Sequence, residues 1–282
     1  MSASVRPFIV HPSWRTLRVD GPDAASWLNG IVTCDVLSAR PGQGVWGSLL
    51  NKQGKICADL QIVGQADQLY LGLCGGDPQQ TLETLDGYLV MEDAEIQASE
   101  LKWLLCSEPL SEAGMSPQGS EVSGRVVWGG VALHFVVALP ARLDELSSAT
   151  SASRLGADEW KAWQTDAGIP QYGVDYSEGD NPHAASIERR TVDWSKGCYL
   201  GQEVVCMQDM RGKVRRRLAA LSPVNGTLPN SGDPVFDDAG KEVGRVTSVG
   251  NLRAIARLTS PAFEEGTKLK AGEAQCLVSQ LA

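Results

Sequence analysis

The sequence predicts an α+β protein that ends in a small β-barrel. Short apolar runs bounded by turn residues recur through the first half, and capped helix signals interrupt them. After about residue 214, β-branched runs alternate with Gly, Pro and Asp turns, which indicates a barrel or sandwich. With 282 residues and 43% hydrophobic content, the chain can form two or three domains, at about 150 residues each.

The N-terminal half alternates strands with helices. In "TLRVDGPDAASWLNG", a short strand precedes a Gly-Pro turn and a helix over about 24–28, which an Asn-Gly pair should stop. "WGSLLNKQGKICADLQIVGQADQLYLGLCGG" places three apolar runs around "NKQGK" and "GQADQ", which predicts an antiparallel meander. Asp77 as N-cap and Pro78 in the first turn predict a second helix.

The middle of the chain returns to strands and then reaches a predicted boundary near residue 150. "LKWLLCSE" and "RVVWGGVALHFVVAL" have strand character. "ELSSATSASRLGA" is small and polar, which is typical of a linker. "DEWKAWQTDAG" predicts a helix closed by Gly168 and Pro170.

Charge and cysteine content limit the classes of function. The net charge of -9 argues against a whole-surface affinity for nucleic acid or anionic membrane, although a local basic patch is compatible with it. No run has the length of a signal peptide or a membrane span, so we expect a soluble, cytoplasmic protein. The seven cysteines are scattered without a C-x-x-C pair, so neither a disulfide framework nor a tetrahedral zinc site is expected.

Two further patterns favour structural interpretations. "GQGVWG" at 42–47 matches G-x-G-x-x-G, but Pro41 precedes it and a meander follows, so we interpret it as a turn rather than a nucleotide loop. The three histidines lack metal-ligand spacing, and two cysteines near residue 200 are too few for an intrinsic iron-sulfur cluster. We therefore expect no metal site.

"VDWSKGCYLGQEVVC" at 192–206 is the strongest candidate site. Cys198 is either a half-buried structural cysteine or a functional thiol, and no histidine lies nearby in sequence to serve as its base. The lysine that precedes it would favour thiolate, and the flanking glycines would let the backbone approach a ligand. The flanking candidate residues are Lys196, Gly197, Tyr199, Gly201, Gln202 and Glu203.

A basic segment follows this candidate site. In "RGKVRRRL", four basic residues stand at every second position, so in a strand they would share one face: Arg211, Lys213, Arg215 and Arg217. Between residues 189 and 217, eight Lys or Arg stand against three acids, a local charge of +5. This segment is either a solvated edge strand or an anion site for phosphate, carboxylate or an RNA backbone.

"KGCYLGQE" at 196–203 resembles the K-G-C-[FY]-x-G-Q-E signature of the YgfZ family of folate-binding proteins. Further segments agree in order: "LRVDGPDAASWLNGIVTCDV", "LLNKQGKICADLQIV", "GIPQYGVD" and "GRVTSVG". The resemblance covers nearly the whole chain. It implies the fold of the glycine-cleavage T-protein, an α+β arrangement of three domains around a central folate pocket.

This resemblance also implies domain limits. Residues 1–46 and 151–213 would form a folate-binding domain that carries the signature. Residues 47–150 would form an α+β domain, and residues 214–282 the small C-terminal β-barrel. The predicted linker and the β-rich tail agree with that outline.

The function implied by the resemblance is that of a tetrahydrofolate-binding accessory protein in iron-sulfur cluster assembly or repair. It would support cluster-dependent enzymes, including those that thiolate tRNA. Its partners would be folate and iron-sulfur proteins or their assembly machinery, with no membrane and no direct nucleic-acid binding expected. The family is not established as a conventional enzyme, and the alternative is a folate-dependent one-carbon transferase for aminomethyl or methyl groups.

The site residues implied by the resemblance are the signature residues with Cys198 as the functional thiol, together with Asp166 and Arg217 as further folate contacts. "QTDAG" corresponds to an R-x-E-A-G segment that holds the pterin in T-proteins, with Gln164 in place of the arginine and the shorter Asp166 in place of the glutamate. Asp166 would orient the pterin while the basic segment meets the glutamate tail. T-proteins carry a paired Asp-Asp where this chain has Ala58-Asp59, and the loss of one acid disfavours aminomethyl transfer.

Overall fold

The computed structural model describes residues 7–65, 67–117, 121–212 and 214–281. Within these ranges the strands are β1 Pro7–Val10, β2 Arg15–Asp20, β3 Gly44–Leu50, β4 Ile56–Gln65, β5 Gln68–Gly75, β6 Glu95–Ser99, β7 Lys102–Cys106, β8 Val122–Trp128, β9 Val131–Ala138, β10 Ser153–Arg154, β11 Arg216–Pro223, β12 Pro234–Phe236, β13 Glu242–Val249, β14 Ala254–Thr259, β15 Lys268–Ala271 and β16 Ala274–Ser279. The helices are α1 Ala24–Asn29, α2 Pro78–Asp86, α3 Pro140–Ala149, α4 Ala157–Ala167, α5 Glu188–Thr191 and α6 Gln202–Arg211.

The first sheet contains the predicted meander. Its strand order is β3-β4-β5-β2-β6, and every neighbouring pair is antiparallel. The turn between β3 and β4 is held by Asn51, whose side-chain oxygen accepts hydrogen bonds from the backbone N–H groups of Gln53 and Lys55. Local turn chemistry therefore sets the register of the hairpin, as the sequence predicted.

The second sheet corrects the prediction of a linker around residue 150. Its order is β10-β1-β7-β9-β8, and β10 pairs parallel to β1 at the edge. Part of the small, polar "ELSSATSASRLGA" instead completes α3, which begins at Pro140 and buries Leu143 and Leu146. Low hydrophobicity in this segment reflects a surface helix with one buried face, not an unstructured connection.

Helix α4 joins the sheets to the barrel. It ends at Gly168, whose φ of 73° is left-handed, as the predicted Gly cap requires. The helix contacts β1 as well as β13 and β14. Its side chains therefore reach the space where the three sheets meet.

Helix α6 contradicts the prediction that the basic residues from 211 to 217 lie on one strand face. Arg211 is the last residue of α6, left-handed Gly212 caps the helix, and β11 begins only at Arg216. Lys213 lies outside the described residues. The alternation of basic residues therefore spans a helix end and a turn.

The C-terminal barrel is closed, with strand order β11-β14-β13-β12-β15-β16. Its interior is filled by small and branched apolar side chains such as Leu221, Val235 and Ala256. This confirms the predicted β-barrel. The division of the first 213 residues into two domains stays a prediction.

Tryptophans concentrate in the core between the sheets. Five buried indoles from both sheets and α4 belong to one apolar cluster: Trp14, Trp46, Trp103, Trp128 and Trp160. Their ring centroids lie 5.4 to 6.1 Å apart in edge-on pairs such as Trp14–Trp128 and Trp46–Trp128. Such pairs are favourable beyond the area that they bury, so this cluster fixes the relative positions of the sheets.

No helix within the described ranges is long and apolar enough to cross a bilayer.

Candidate functional site

A hollow of about 110 Å³ lies where the two N-terminal sheets meet α4. Four aromatic side chains from distant parts of the chain line it: Trp14, Trp128, Trp160 and Tyr172. The three indoles are at most 3% exposed. We call this space the aromatic hollow.

Two tryptophans that line the aromatic hollow have indole N–H groups without an acceptor among the described residues. The Nε1 atoms of Trp128 and Trp160 are buried, and neither has a hydrogen-bond partner among the described residues. A buried unpaired donor costs about 1–3 kcal/mol. A polar ligand that supplied an acceptor to either indole would recover part of that cost.

Asp59 places a carboxylate in the wall of the aromatic hollow. It lies on β4 and is 1% exposed. One carboxylate oxygen accepts a hydrogen bond from Trp46 Nε1 at 2.6 Å, and the other accepts one from the Tyr176 hydroxyl at 2.5 Å. Two fixed donors therefore hold the carboxylate in one orientation.

Burial controls the protonation of these groups. Desolvation raises the pKa of Asp59 to about 6, although the hydrogen bonds from Tyr176 and Trp46 oppose that shift. Burial also raises the pKa of Cys74, another lining residue, well above its usual value. At neutral pH the aromatic hollow thus presents one carboxylate close to its titration point and a neutral thiol.

An outer groove of about 340 Å³ continues from the aromatic hollow. The two spaces share Ser13, Cys74 and Tyr172 as lining residues. The outer groove is also lined by the exposed Arg15. Burial, and after it the positive charge of Arg15, lowers the pKa of Lys102. Asp77 also lines the outer groove, so the aromatic hollow opens toward a rim that carries one cation and one carboxylate.

Gln171 connects the aromatic hollow to the barrel. Its side-chain amide donates to Thr165 Oγ1 at 3.1 Å and to the Lys161 carbonyl at 2.9 Å, and its backbone N–H donates to Asp175. The Asp175 carboxylate in turn accepts hydrogen bonds from the hydroxyls of Thr247 and Ser248 in β13. This buried network holds the wall of the hollow against the barrel.

Cys198 lies at the protein surface, in the loop before α6. Its side chain is exposed, and the described lining of the aromatic hollow includes none of the signature residues. The aromatic hollow does not include Cys198, and a thiol beside the folate pocket stays a prediction. Trp194, four residues earlier, is also 45% exposed, so the signature loop presents an aromatic ring and a thiol to solvent.

Lys196 ties the signature loop to the first sheet. Its ammonium donates to three backbone carbonyls, those of Asn29 at 2.5 Å, Val32 at 2.9 Å and Cys34 at 2.7 Å. Burial lowers the pKa of Lys196. Because its three donors are used by carbonyls, the lysine is a structural clamp and not an activator of the neighbouring thiol.

The remaining signature residues also have packing roles. Gly201 is left-handed, and a Cβ there would lie 2.5 Å from the Asn51 carbonyl oxygen, so only glycine fits against the β3–β4 turn. Tyr199 is buried, and burial raises the pKa of its hydroxyl, which has no partner in the described part of the chain. Gln202 and Glu203 begin α6, where the acidic side chain suits the helix dipole. By contrast, a Cβ at Gly197 would meet open space.

Asp166 holds the barrel in place. Its carboxylate accepts hydrogen bonds from the backbone N–H groups of Asn251 and Leu252 at 2.9 and 2.8 Å, and from that of Arg253 at 3.3 Å. Both oxygens of Asp166 thus bind a barrel turn, and its role in orienting a pterin stays a prediction. Arg217 likewise pairs with Glu188 and does not belong to the lining of the aromatic hollow.

Sequence reasoning missed the aromatic lining and gave Asp59 only a secondary place. The available signal was the number of tryptophans, eight in 282 residues, together with the acid inside the apolar run "ICADL". Neither signal specifies which indoles meet, because the residue before β2, strand β8 and helix α4 are brought together only by the tertiary fold.

The histidines have separate surroundings. His11 stacks on Trp14 with ring centroids 4.6 Å apart, and burial lowers its pKa to about 3. His183 contacts Asp209 at 3.4 Å, and His134 lies on β9. In the described ranges, no group of three His, Cys, Asp or Glu side chains is arranged to hold a metal ion.

Known proteins share the fold of this chain and parts of its sequence. Residues 215–281 match the family described as "CAF17, C-terminal beta-barrel domain". The aminomethyltransferase T of the glycine cleavage system from Bartonella henselae has the same fold, with a TM-score of 0.83 and 19% identity over 99% of this chain and 86% of that one.

Sequence relatives cover most of the chain. The "tRNA-modifying protein YgfZ" of Aliivibrio fischeri strain ATCC 700601 / ES114 is 24% identical over 92% of this chain and 87% of its own length. The protein of the same name from Edwardsiella ictaluri is 28% identical over 78% of this chain and 72% of its own. The predicted resemblance is therefore confirmed: this chain is similar to YgfZ proteins over most of its length, has the T-protein fold, and ends in a barrel domain of the CAF17 type.

Proposed function

We propose that this protein binds tetrahydrofolate in the aromatic hollow and acts as an accessory factor for tRNA modification, through enzymes that depend on iron-sulfur clusters. The names of its relatives support the link to tRNA modification, and the shared fold of aminomethyltransferase T is compatible with a folate ligand. The observation that carries the proposal is that three buried indoles and one buried carboxylate line a single hollow.

The residues present fit a pterin chemically. A flat, polar heterocycle needs aromatic walls and a few fixed polar groups, which is the usual composition of a small-molecule site. Asp59 offers acceptors to ring N–H donors, while the unpaired indoles of Trp128 and Trp160 offer donors. The combination suits a ring that carries both donors and acceptors.

Size determines how much of the ligand each space would take. The aromatic hollow, at about 110 Å³, is below the range of about 300–1,000 Å³ usual for ligand sites, so it suits one ring system only. The outer groove has about 340 Å³ and would take the remainder. Arg15 would then meet a carboxylate of the glutamate tail.

Cys198 would act at the protein surface, outside the folate site. Its exposure and the exposed Trp194 make the signature loop accessible to a partner protein. The accessory role would therefore be divided between an inner folate site and an outer thiol. We assign the contact with iron-sulfur proteins or their assembly machinery to this loop.

Calorimetry with tetrahydrofolate tests the binding site directly. We expect saturable binding that is weakened by Trp160→Leu and unchanged by Cys198→Ala. In cells, by contrast, Cys198→Ala should lower tRNA thiolation by a cluster-dependent enzyme. Absence of folate binding to the unmodified protein would contradict the proposal.

A second candidate function is one-carbon transfer to or from tetrahydrofolate. Asp59 favours it, because a carboxylate with a pKa of about 6 can accept a proton near neutral pH. When bound, tetrahydrofolate would supply the reactive nitrogens, and Asp59 would hold or accept the proton. Turnover to the methylene form that is lost in Asp59→Asn would support this candidate, whereas binding without turnover would exclude it.

A further inference from the structure

A second, cationic groove runs along the junction of α6 and the barrel. One part, of about 1060 Å³, is lined by residues of α6, the turn after it and the loop after β14. A smaller part, of about 300 Å³, extends past α5. The two parts share Arg217, Phe263 and Glu264, so we treat them as one α6–barrel groove.

The path of the chain concentrates arginines in the α6–barrel groove. Left-handed Gly212 ends α6 and reverses the chain, so that residues on both sides of the turn line the same space. The short α5 adds basic side chains at the other end. The arginines that line the groove are Arg189, Arg190, Arg211, Arg215 and Arg217.

Several of these arginines are available for an external anion. Arg211 and Arg215 are exposed, and their side chains have no ion pair or hydrogen bond to other described residues. Arg217 is paired with Glu188, so it contributes little free charge. Opposite them, the acids that line the groove apart from Glu188 are Glu264 and Glu265.

Apolar side chains lie between the charges. Val204 and Met207 of α6 face the groove together with Phe263 from the loop after β14. A groove that combines arginine with an aromatic ring suits single-stranded nucleic acid, because phosphates meet the cations while bases stack on the apolar surface. A small anion would need neither the length nor the apolar surface.

We propose that the α6–barrel groove binds a single-stranded segment of RNA, such as the loop of a folded RNA, with Arg211 and Arg215 on its phosphates. This revises the expectation of no direct nucleic-acid binding, which was drawn from the net charge of the whole chain. It goes beyond the proposed function, since the aromatic hollow and this groove have no lining residue in common.

The α6–barrel groove is lined by the helix that directly follows the signature loop. Cys198 lies four residues before α6, and the ten residues of that helix span about 15 Å. An RNA segment in the groove would therefore lie along the helix that leads from the exposed thiol. A partner enzyme that contacts the signature loop could share the same RNA.

Fluorescence anisotropy with a labelled RNA hairpin, measured at several salt concentrations, tests the proposal. We expect the double variant Arg211→Ala with Arg215→Ala to bind about tenfold or more weakly. Its plot of log affinity against log salt should be shallower by about 0.7 for each arginine removed. Arg40→Ala is the matched control, because Arg40 is an exposed arginine of the N-terminal half outside the groove lining, and it should bind like the unmodified protein.

A variant that binds RNA more tightly than the unmodified protein provides a control, because misfolding would not increase affinity. Glu264→Gln removes an acid from the groove, so we expect tighter RNA binding, with folate affinity unchanged in every groove variant. Equal loss of affinity in Arg40→Ala, salt-independent binding, or undiminished binding by the double variant would overturn the proposal. Competition by poly-glutamate as effective as that by RNA would also overturn it, since it would assign the groove to acidic peptides.

Discussion

The hydroxyl of Tyr176 donates a hydrogen bond to the carboxylate of Asp59, although 117 residues separate them. This contact joins β4 to the segment after α4 at the wall of the aromatic hollow. The Trp46 indole donates to the other carboxylate oxygen, so the acid is held by two residues that are themselves buried. The site is therefore rigid in the part where a ligand would need a fixed acceptor.

Replacement of Asp59 by Asn should remove a pH dependence of stability. The folded-state pKa is raised from 3.8 to about 6, so the carboxylate weakens the fold once it ionises, and unfolding free energy falls as pH rises from about 4 to about 6. Two pKa units correspond to about 3 kcal/mol. Urea denaturation at pH 4 and pH 7 should show that Asp59→Asn gains stability relative to the unmodified protein at the higher pH.

Ionisation of Asp59 should also make the affinity for tetrahydrofolate depend on pH. If ionised Asp59 accepts hydrogen bonds from a pterin, tetrahydrofolate should bind more tightly as pH rises through about 6, and Asp59→Asn should lose that dependence. Calorimetry across this pH range measures both. An identical pH profile in the Asn variant would show that Asp59 does not contact the ligand.

Trp160→Leu should weaken tetrahydrofolate binding about tenfold, because loss of an aromatic wall removes about 1–1.5 kcal/mol of stacking. Trp163→Leu is the matched control. Trp163 stacks on Trp160 in the same helix with centroids 4.6 Å apart, but it does not line the aromatic hollow. Equal effects of the two substitutions on affinity, at equal folded fraction, would argue against a ligand in the hollow.

The sequence predicts those parts of the fold whose causes are local. The β3–β4–β5 meander follows from turn residues, and α2 follows from Asp77, whose carboxylate caps the backbone N–H of Gln80 at 2.7 Å. Helix α6 was missed because "QEVVCMQDMR" has no apolar stripe at helical spacing and buries only Val205. Its local signals are Gly201 and Gly212, both left-handed, one at each end.

The candidate site is less predictable because its contacts are nonlocal. A match to the signature identifies the family resemblance, yet the conspicuous Cys198 is exposed while the aromatic hollow is built from other segments. Sequence similarity cannot separate residues that hold the fold from residues that meet a ligand. Lys196 and Gly201 show this, since the structure explains both by packing alone.

Lys196→Met should therefore destabilise the protein without a specific effect on folate affinity. It removes three charge-assisted hydrogen bonds to the carbonyls of residues 29, 32 and 34, so we expect a loss of about 3 kcal/mol. Lys52→Met, at an exposed lysine of the β3–β4 turn, should change stability by less than about 0.5 kcal/mol. Chemical denaturation of both variants measures the difference, and similar stabilities would contradict the clamp.

Asp166→Ala should loosen the barrel and leave the folate site intact. The substitution strips acceptors from the backbone N–H groups of residues 251–253, which should cost about 2 kcal/mol. Gly250→Ala should imitate it, because a Cβ at that position would lie 2.1 Å from Asp166 Oδ1 and would displace the carboxylate. Hydrogen exchange should then report faster opening of the turn after β13 in both variants.

Both variants should bind tetrahydrofolate within about twofold of the affinity of the unmodified protein, because no ligand contact is removed and a tenfold change would require about 1.4 kcal/mol. A large loss of affinity in Asp166→Ala but not in Gly250→Ala would instead return Asp166 to the ligand site.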